Sequence, residues 1–270
     1  MLEIFKAIFL GIVQGITEWL PVSSTGHMIL VDQFLHLAGS KKFIDTFLVV
    51  IQFGSILAVL ILYFNKLNPF STRKSPKAKK ATWDLWIKVL IAVLPSGIIG
   101  VLFEEQIDRI FFRPSVVAAA LIIYGVIMIW IENRHKRPGI TKFSQVSYKT
   151  ALLIGLFQCL ALVPGTSRSG STIIGATLLG TSRYIAAEFS FFLAIPTMLG
   201  ASLLKLLKAG FAFTGFEWFI MLLGSLVAFI VSVIVIKFFM SYIKKHDFKA
   251  FGVYRIVLGI IVFIYFAIAG

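Results

Sequence analysis

Apolar residues gather into six long runs, 43–64, 85–103, 115–131, 186–204, 217–238 and 251–269, separated by polar segments. Each run has about the 17–25 residues that an α-helix needs to cross a bilayer. Two further apolar stretches, 1–36 and 150–182, are broken by Pro, Gly, Ser and ionisable residues, among them Glu18, His27 and Arg168. A charge at the bilayer centre costs about 2.5–3.5 kcal/mol on insertion scales. Irregular backbone at that depth is tolerated only where it is buried in protein or lines a cavity. The pattern therefore predicts an all-α polytopic membrane protein with about six transmembrane helices. The two broken stretches are expected to form re-entrant helix pairs lining a polar pocket, and 1–270 to form a single integral membrane domain.

The N-terminus also resembles a signal peptide, with Lys6 ahead of an apolar run. Glu18 and Trp19 stand where a small-residue cleavage site belongs and no A-x-A pattern follows, so the segment is expected to be retained.

Composition narrows the class. Of 270 residues, 59% are hydrophobic and 14% charged, against roughly 25% charged in soluble domains. Mean hydropathy is +0.94. An ordinary soluble enzyme and a disordered chain are excluded, and a single Cys excludes a disulfide scaffold. The net charge of +14 comes from 26 Lys and Arg against 12 Asp and Glu. More than half of these cations sit in three segments between apolar runs, 65–84, 132–149 and 237–250. They set orientation rather than bind nucleic acid. Segment 104–114 reads as an acidic loop, with Glu104, Glu105 and Asp108 against Arg109 and Arg113. The positive-inside rule places the three basic segments in the cytoplasm. The span order then closes only if 1–36 and 150–182 do not cross the membrane.

The two broken stretches look alike. Gly11 and Gln14 align with Gly155 and Gln158; after a one-residue gap Pro21 aligns with Pro164 and Ser24 with Ser167. At the same shift Asp45 aligns with Glu188, each opening a span. Three spans per half is an odd number, so the halves are expected to be inverted repeats, approximately 1–131 and 150–270, joined by a cytoplasmic linker at 132–149. Sites in such folds form near the midplane from broken helices.

Candidate chemistry lies in those breaks. Gln14 and Glu18 are four apart and share a helix face. Pro21 ends that helix, and Ser23, Ser24 or Thr25 can cap the next, with His27 three residues past Ser24. The second break, Gly165-Thr166-Ser167-Arg168-Ser169-Gly170-Ser171, is a Gly- and hydroxyl-rich turn opening a helix. Backbone N–H groups at a helix N-terminus favour anions, and an Arg adds a planar fork suited to phosphate oxygens. A carboxylate, hydroxyls, an imidazole and a guanidinium in one pocket can bind a phosphate group and act on it. Each residue also has a plainer reading: Glu18 as a structural partner of Arg168, the hydroxyls as caps or interhelical contacts, and His27 as a packing residue. His36, His135, His246 and Cys159 are given no role.

The chain resembles the bacterial undecaprenyl-diphosphate phosphatases, the bacitracin-resistance protein family. The resemblance rests on Gln14–His27 (QGITEWLPVSSTGH) and Pro164–Thr172 (PGTSRSGST), supported by Gln52–Val59 and Ser182–Phe191. It implies an enzyme of the bacterial cytoplasmic membrane, its site opening to the extracytoplasmic side. The enzyme would hydrolyse undecaprenyl diphosphate to undecaprenyl phosphate and inorganic phosphate, recycling the lipid carrier of cell-wall synthesis and removing the target of bacitracin. The family's catalytic Ser, His and Arg fall on Ser24, His27 and Arg168. Its first motif is acidic-or-Gln, three residues, then Glu, and here takes the form Gln14 and Glu18. Gln14, Ser23, Thr25, Gly165, Thr166, Ser167, Ser169, Gly170 and Ser171 are the expected substrate contacts. The resemblance also implies a divalent cation, Mg²⁺ or Ca²⁺, with Glu18 the one candidate ligand and the ion otherwise held by substrate phosphates and water. The expected partners are a polyprenyl diphosphate and the bilayer, and a homodimer is compatible with the reading. The competing class is a transporter or polyprenyl-phosphate flippase on the same architecture.

Overall fold

The computed structural model describes residues 1–134 and 137–269, without the side chains of Glu104, Asp108 and Ala269. His135 and Lys136 of the basic linker, and the carboxylates of Glu104 and Asp108, thus lie outside the described residues. Eleven α-helices are described: α1 (Leu2–Thr17), α2 (Ser24–Phe34), α3 (Lys41–Leu62), α4 (Phe64–Leu67), α5 (Pro76–Phe111), α6 (Pro114–Asn133), α7 (Tyr148–Cys159), α8 (Arg168–Leu178), α9 (Arg183–Ala209), α10 (Gly215–Tyr242) and α11 (Lys249–Ala269). Six of them, α3, α5, α6, α9, α10 and α11, are long and apolar enough to span a membrane. Among the described residues the one β-type contact is an isolated bridge between Ile140 and Thr181. The protein is an all-α polytopic membrane protein.

Its outer surface shows why. Leu222, Leu226, Ile230, Ile234 and Phe238 on α10 are each about half exposed or more. Spaced four apart, they form an apolar stripe about 24 Å long, comparable to the hydrocarbon thickness of a bilayer. The interior is packed with aromatic residues, including Phe189, Phe191, Phe192 and Phe239. Trp19 is fully buried and sits edge-on to Phe191 at 5.2 Å between centroids.

One segment differs from expectation. The acidic stretch at 104–114 is no loop: α5 continues through Phe111, and the chain turns only at Phe112 and Arg113, ahead of Pro114 in the first turn of α6. No Gly or Pro lies between Val101 and Phe112 to stop the helix, whereas Pro is well placed to start one. The flanking basic segments likewise belong partly to helices, Lys77, Lys79 and Lys80 to α5 and Lys237 to α10.

Helix pairing is set by close approach at small residues. A Cβ on Gly11 would meet the carbonyl oxygen of Gly224 at 2.6 Å, and one on Gly155 that of Ala92 at 2.1 Å. The same motif glycine therefore seats α1 on α10 and α7 on α5. Contacts at Gly11–Gly224 and Gly15–Ala228 make α1 and α10 parallel; Tyr148–Asp84 and Gly155–Ala92 do the same for α7 and α5. The helices α3 and α9 run antiparallel, with Asp45 against Lys205 at one end and, just past α3, Lys66 of α4 against Glu188, 2.8 Å apart, at the other. In sum α1 pairs with α10 as α7 does with α5, and α6 packs on α11.

Candidate active site

The two broken stretches fold alike. In each, a helix ends, the chain turns, and a short helix of 11 residues begins. The residue before each short helix is a serine with φ +73°, Ser23 and Ser167. Among the described residues these are the only non-glycine positions with positive φ, a conformation that costs energy and clusters at functional sites. Each serine hydroxyl accepts a hydrogen bond from an amide three residues on, Gly26 N at 3.3 Å and Gly170 N at 3.1 Å. The sequence alignment needs correcting at this point. Ser23, not Ser24, corresponds to Ser167, because the cap and its glycine fix the register while the proline does not. Ser24 and Arg168 then become equivalent, each the first residue of its short helix.

Both of these residues reach Glu18. Ser24 Oγ donates to Glu18 Oε2 at 3.1 Å, as does Gln14 Nε2 at 3.1 Å. Arg168 Nη2 lies 3.3 Å from Glu18 Oε1. The other arm of the guanidinium, Nη1, donates to Ser190 O at 2.8 Å, and Ser190 Oγ lies 2.6 Å from Thr172 Oγ1. Glu18 and Arg168 are both buried, with side chains about a tenth exposed, so the pair sits in a medium where charge interactions are far stronger than in water.

A cavity of about 220 Å³ opens on this pair. Glu18, Ser24 and Thr25 line one side, and Gly165, Ser167 and Arg168 the other. Two helix N-termini, of α2 and α8, thus deliver their partial positive charge to one space. The remaining wall comes from the middles of long helices: Gln52 on α3, Ser96 on α5 and Thr197 on α9, with Gln158 on α7. Gln158 Nε2 donates to Ser96 Oγ at 2.6 Å. Ser96 and Thr197 each follow a proline inside a helix, Pro95 and Pro196, where one intrahelical hydrogen bond is missing.

The family described as Bacitracin resistance protein BacA matches residues 7–261. The chain belongs to the BacA family. It is 74% identical to Undecaprenyl-diphosphatase 1 of Clostridioides difficile (strain 630), over 98% of this chain and 97% of that protein. It is 60% identical to the Undecaprenyl-diphosphatase of Acetivibrio thermocellus, covering 98% of both chains, and 58% identical to that of Enterococcus faecalis, covering 99% and 98%.

In this BacA chain the predicted residues divide. Gln14, Glu18, Ser24, Thr25, Gly165, Ser167 and Arg168 meet at the cavity or on the carboxylate beside it. Ser23 is a cap. Ser169 Oγ stitches the two breaks together by donating to Glu18 O or Leu20 O at 3.2 and 3.1 Å. Ser171 Oγ bonds back to Ser167 O at 2.9 Å within its own helix. Gly170 supplies the amide of the second cap. His27 stands outside the cavity wall: Nδ1 is 2.7 Å from Ser23 O, Nε2 is 2.7 Å from the Tyr254 hydroxyl, and the two rings are stacked.

Sequence reasoning missed Arg255. It is fully buried on α11, where its guanidinium donates to Pro21 O at 3.2 Å, Gly165 O at 2.9 Å and Thr166 O at 2.8 Å. One side chain thereby ties both breaks in place, and this is the role of Thr166 as well, through its carbonyl. Gly165, at φ +90° with the carbonyl of Val117 2.6 Å from where a Cβ would stand, admits no side chain. The signal was present: Arg255 is a charge inside an apolar span, which marks function or a buried partner.

Proposed function

We propose that this chain hydrolyses undecaprenyl diphosphate to undecaprenyl phosphate and inorganic phosphate, recycling the lipid carrier of cell-wall synthesis and conferring bacitracin resistance. Family membership and the names of the relatives support the reaction. The observation that carries it in this chain is the meeting of Ser24, Glu18 and Arg168 on one cavity beneath two helix N-termini. A carrier of neutral cargo has no use for that anion-binding set, and the relatives are named as phosphatases, not transporters.

In the mechanism, Arg168 and the amides opening α8 hold the terminal phosphate and stabilise charge as the P–O bond breaks. Ser24 Oγ attacks the terminal phosphorus as Glu18 takes its proton. The bond from phosphorus to the bridging oxygen breaks, and undecaprenyl phosphate leaves with that oxygen. Water then releases inorganic phosphate from Ser24. Among the described residues no group of three or more His, Cys, Asp or Glu side chains could cage a metal ion. The residues fit a divalent cation, Mg²⁺ or Ca²⁺, held by Glu18 together with substrate oxygens and water. When bound, the ion neutralises charge on the diphosphate.

The helix directions support inverted halves, with the breaks entering from opposite membrane faces. The basic segments face the cytoplasm of the bacterial inner membrane, and the site opens to the extracytoplasmic side. The test is phosphate release from undecaprenyl diphosphate by the purified chain in detergent, with and without EDTA. Release that is lost in Arg168→Ala supports the reading. No release, or an Arg168→Ala rate equal to wild type, overturns it. Mass-spectrometric trapping of phosphoryl-Ser24 tests the covalent step, and its absence in rapidly quenched turnover points to direct attack by water.

A further inference from the structure

A second cavity, of about 420 Å³, opens where α6, α8 and α10 end and α9 begins, near the 132–149 linker. It shares no lining residue with the Glu18 cavity. Four cations line it, Arg134, Arg137, Arg183 and Lys244, against two carboxylates, Glu132 and Asp247. Glu132 is already committed: Arg183 Nε donates to it at 2.9 Å, Arg183 Nη2 bonds its other oxygen, and Phe248 N donates at 3.1 Å. Arg134 lies over the Trp130 ring at 4.7 Å and Lys244 over Tyr184 at 5.9 Å; among the described residues neither cation has an ion pair, and Asp247 lies 3.6 Å from Lys249.

The floor of this cavity is the start of α9, a helix of 27 residues. Its first amides have no intrahelical acceptor, and its dipole favours an anion there. An independent observation points the same way. Thr181 lines the cavity, is only 3% exposed, and its hydroxyl has no hydrogen-bond partner. A buried hydroxyl left unmatched costs about 1–3 kcal/mol, a cost that a bound acceptor removes. The strand-like pairing of Ile140 with residues 180–182, through Ile140 N to Gly180 O at 3.0 Å and Ser182 N to Ile140 O at 2.8 Å, fixes the backbone on either side of Thr181. We propose that this cavity is a second anion site, binding a phosphate group by Arg134, Arg137, Lys244, the Thr181 hydroxyl and the N-terminus of α9. The phosphate belongs either to the headgroup of an anionic phospholipid or to free inorganic phosphate; basic pockets between transmembrane helices commonly hold such headgroups.

The test is native mass spectrometry of the full chain released from detergent micelles containing phosphatidylglycerol or phosphatidylcholine, with calorimetric titration of inorganic phosphate in parallel. Arg134→Ala/Arg137→Ala changes only exposed side chains, and Thr181→Val removes the buried hydroxyl at constant shape. The expected result is selective retention of phosphatidylglycerol that falls about 25-fold in the double variant, since each cation near a membrane surface contributes about fivefold. Thr181→Val should weaken retention several-fold, and hydrolysis in lipid-free detergent should be unchanged in both variants. Binding of inorganic phosphate alone, weakened by the same substitutions, supports the site with the free anion as its ligand. Binding of either probe that neither variant alters, or no binding of either, overturns the proposal.

Discussion

Ser24 and Arg168 occupy the same position in the two broken stretches. Each is the first residue of a short helix, behind a serine of φ +73° whose hydroxyl caps the helix. Their side chains approach Glu18 from opposite sides, Ser24 at Oε2 and Arg168 at Oε1. One stretch thus contributes the hydroxyl and the carboxylate, and the other the guanidinium.

Glu18 and Arg168 should be strongly coupled. Glu18→Gln is expected to lower kcat by about 10²–10⁴, the usual contribution of a positioned proton acceptor. Either Glu18→Gln or Arg168→Gln alone leaves one buried charge unmatched, a loss of about 3–5 kcal/mol. The double variant should be less destabilised than the sum of the two. Thermal unfolding in detergent across the double-mutant cycle measures the coupling; strict additivity would show the pair to be independent.

Ser24 and His27 should separate in kinetics. Ser24→Ala is expected to reduce kcat on the order of 10³-fold or more, as loss of a nucleophile does. His27→Gln should cost less than about tenfold, about 1.4 kcal/mol of barrier, because both ring nitrogens are engaged away from the cavity. Tyr254→Phe, which removes the partner of His27 Nε2, should match His27→Gln. Initial rates of phosphate release rank the three variants, and a His27 effect as large as that of Ser24 would return the imidazole to the reacting centre.

At Ser23 and Ser167 the order of substitutions should depart from that of an ordinary cap. Alanine loses the cap, about 1 kcal/mol, and keeps the backbone strain. Glycine also loses the hydroxyl but releases the strain of a positive φ. Melting temperatures should therefore fall for Ser23→Ala and Ser167→Ala and change little for the glycine variants. Equal behaviour at the two positions would follow from their shared geometry.

Arg255 should behave as a positioning residue. Each hydrogen bond from a charged donor contributes about 1.5–3 kcal/mol, and Arg255→Met removes three of them from two loops at once. The expected result is a loss of several kcal/mol in stability together with a large fall in kcat. Arg255→Lys, which retains charge but not the fork, should recover part of the stability and little of the rate. Activity of Arg255→Met near that of wild type would mean that the loops hold their places unaided.

Much of this was legible in the sequence, and the misses have physical causes. The six spans stand out because lipid demands long apolar runs, and the two breaks because charge and Pro are costly in them. The Ser24–Ser167 alignment fails because the proline does not fix the register. Register across a broken helix is set by the cap and the glycine amide it holds, which here is Ser23 with Gly26 and Ser167 with Gly170. No loop forms over most of 104–114 because acidic side chains do not by themselves turn a chain, and nothing before Phe112 stops the helix. Gln52, Ser96 and Thr197 are not legible as site residues because each is an uncharged polar group in a span whose average is apolar, and only the packing of α3, α5 and α9 shows which face turns inward.

The place of Arg255 in the chain has a consequence for biosynthesis. Both loops it fastens, at Pro21 and at Gly165–Thr166, leave the ribosome well before α11 does. Until that helix inserts and its guanidinium docks, the carbonyls of Pro21, Gly165 and Thr166 lack their donor, and only Ser169 and the Arg168–Glu18 pair join the two turns. A nascent chain halted before α11 would already carry every side chain assigned to the chemistry, and it would still lack the guanidinium that fastens both turns. Completion of the catalytic centre thereby waits for α11.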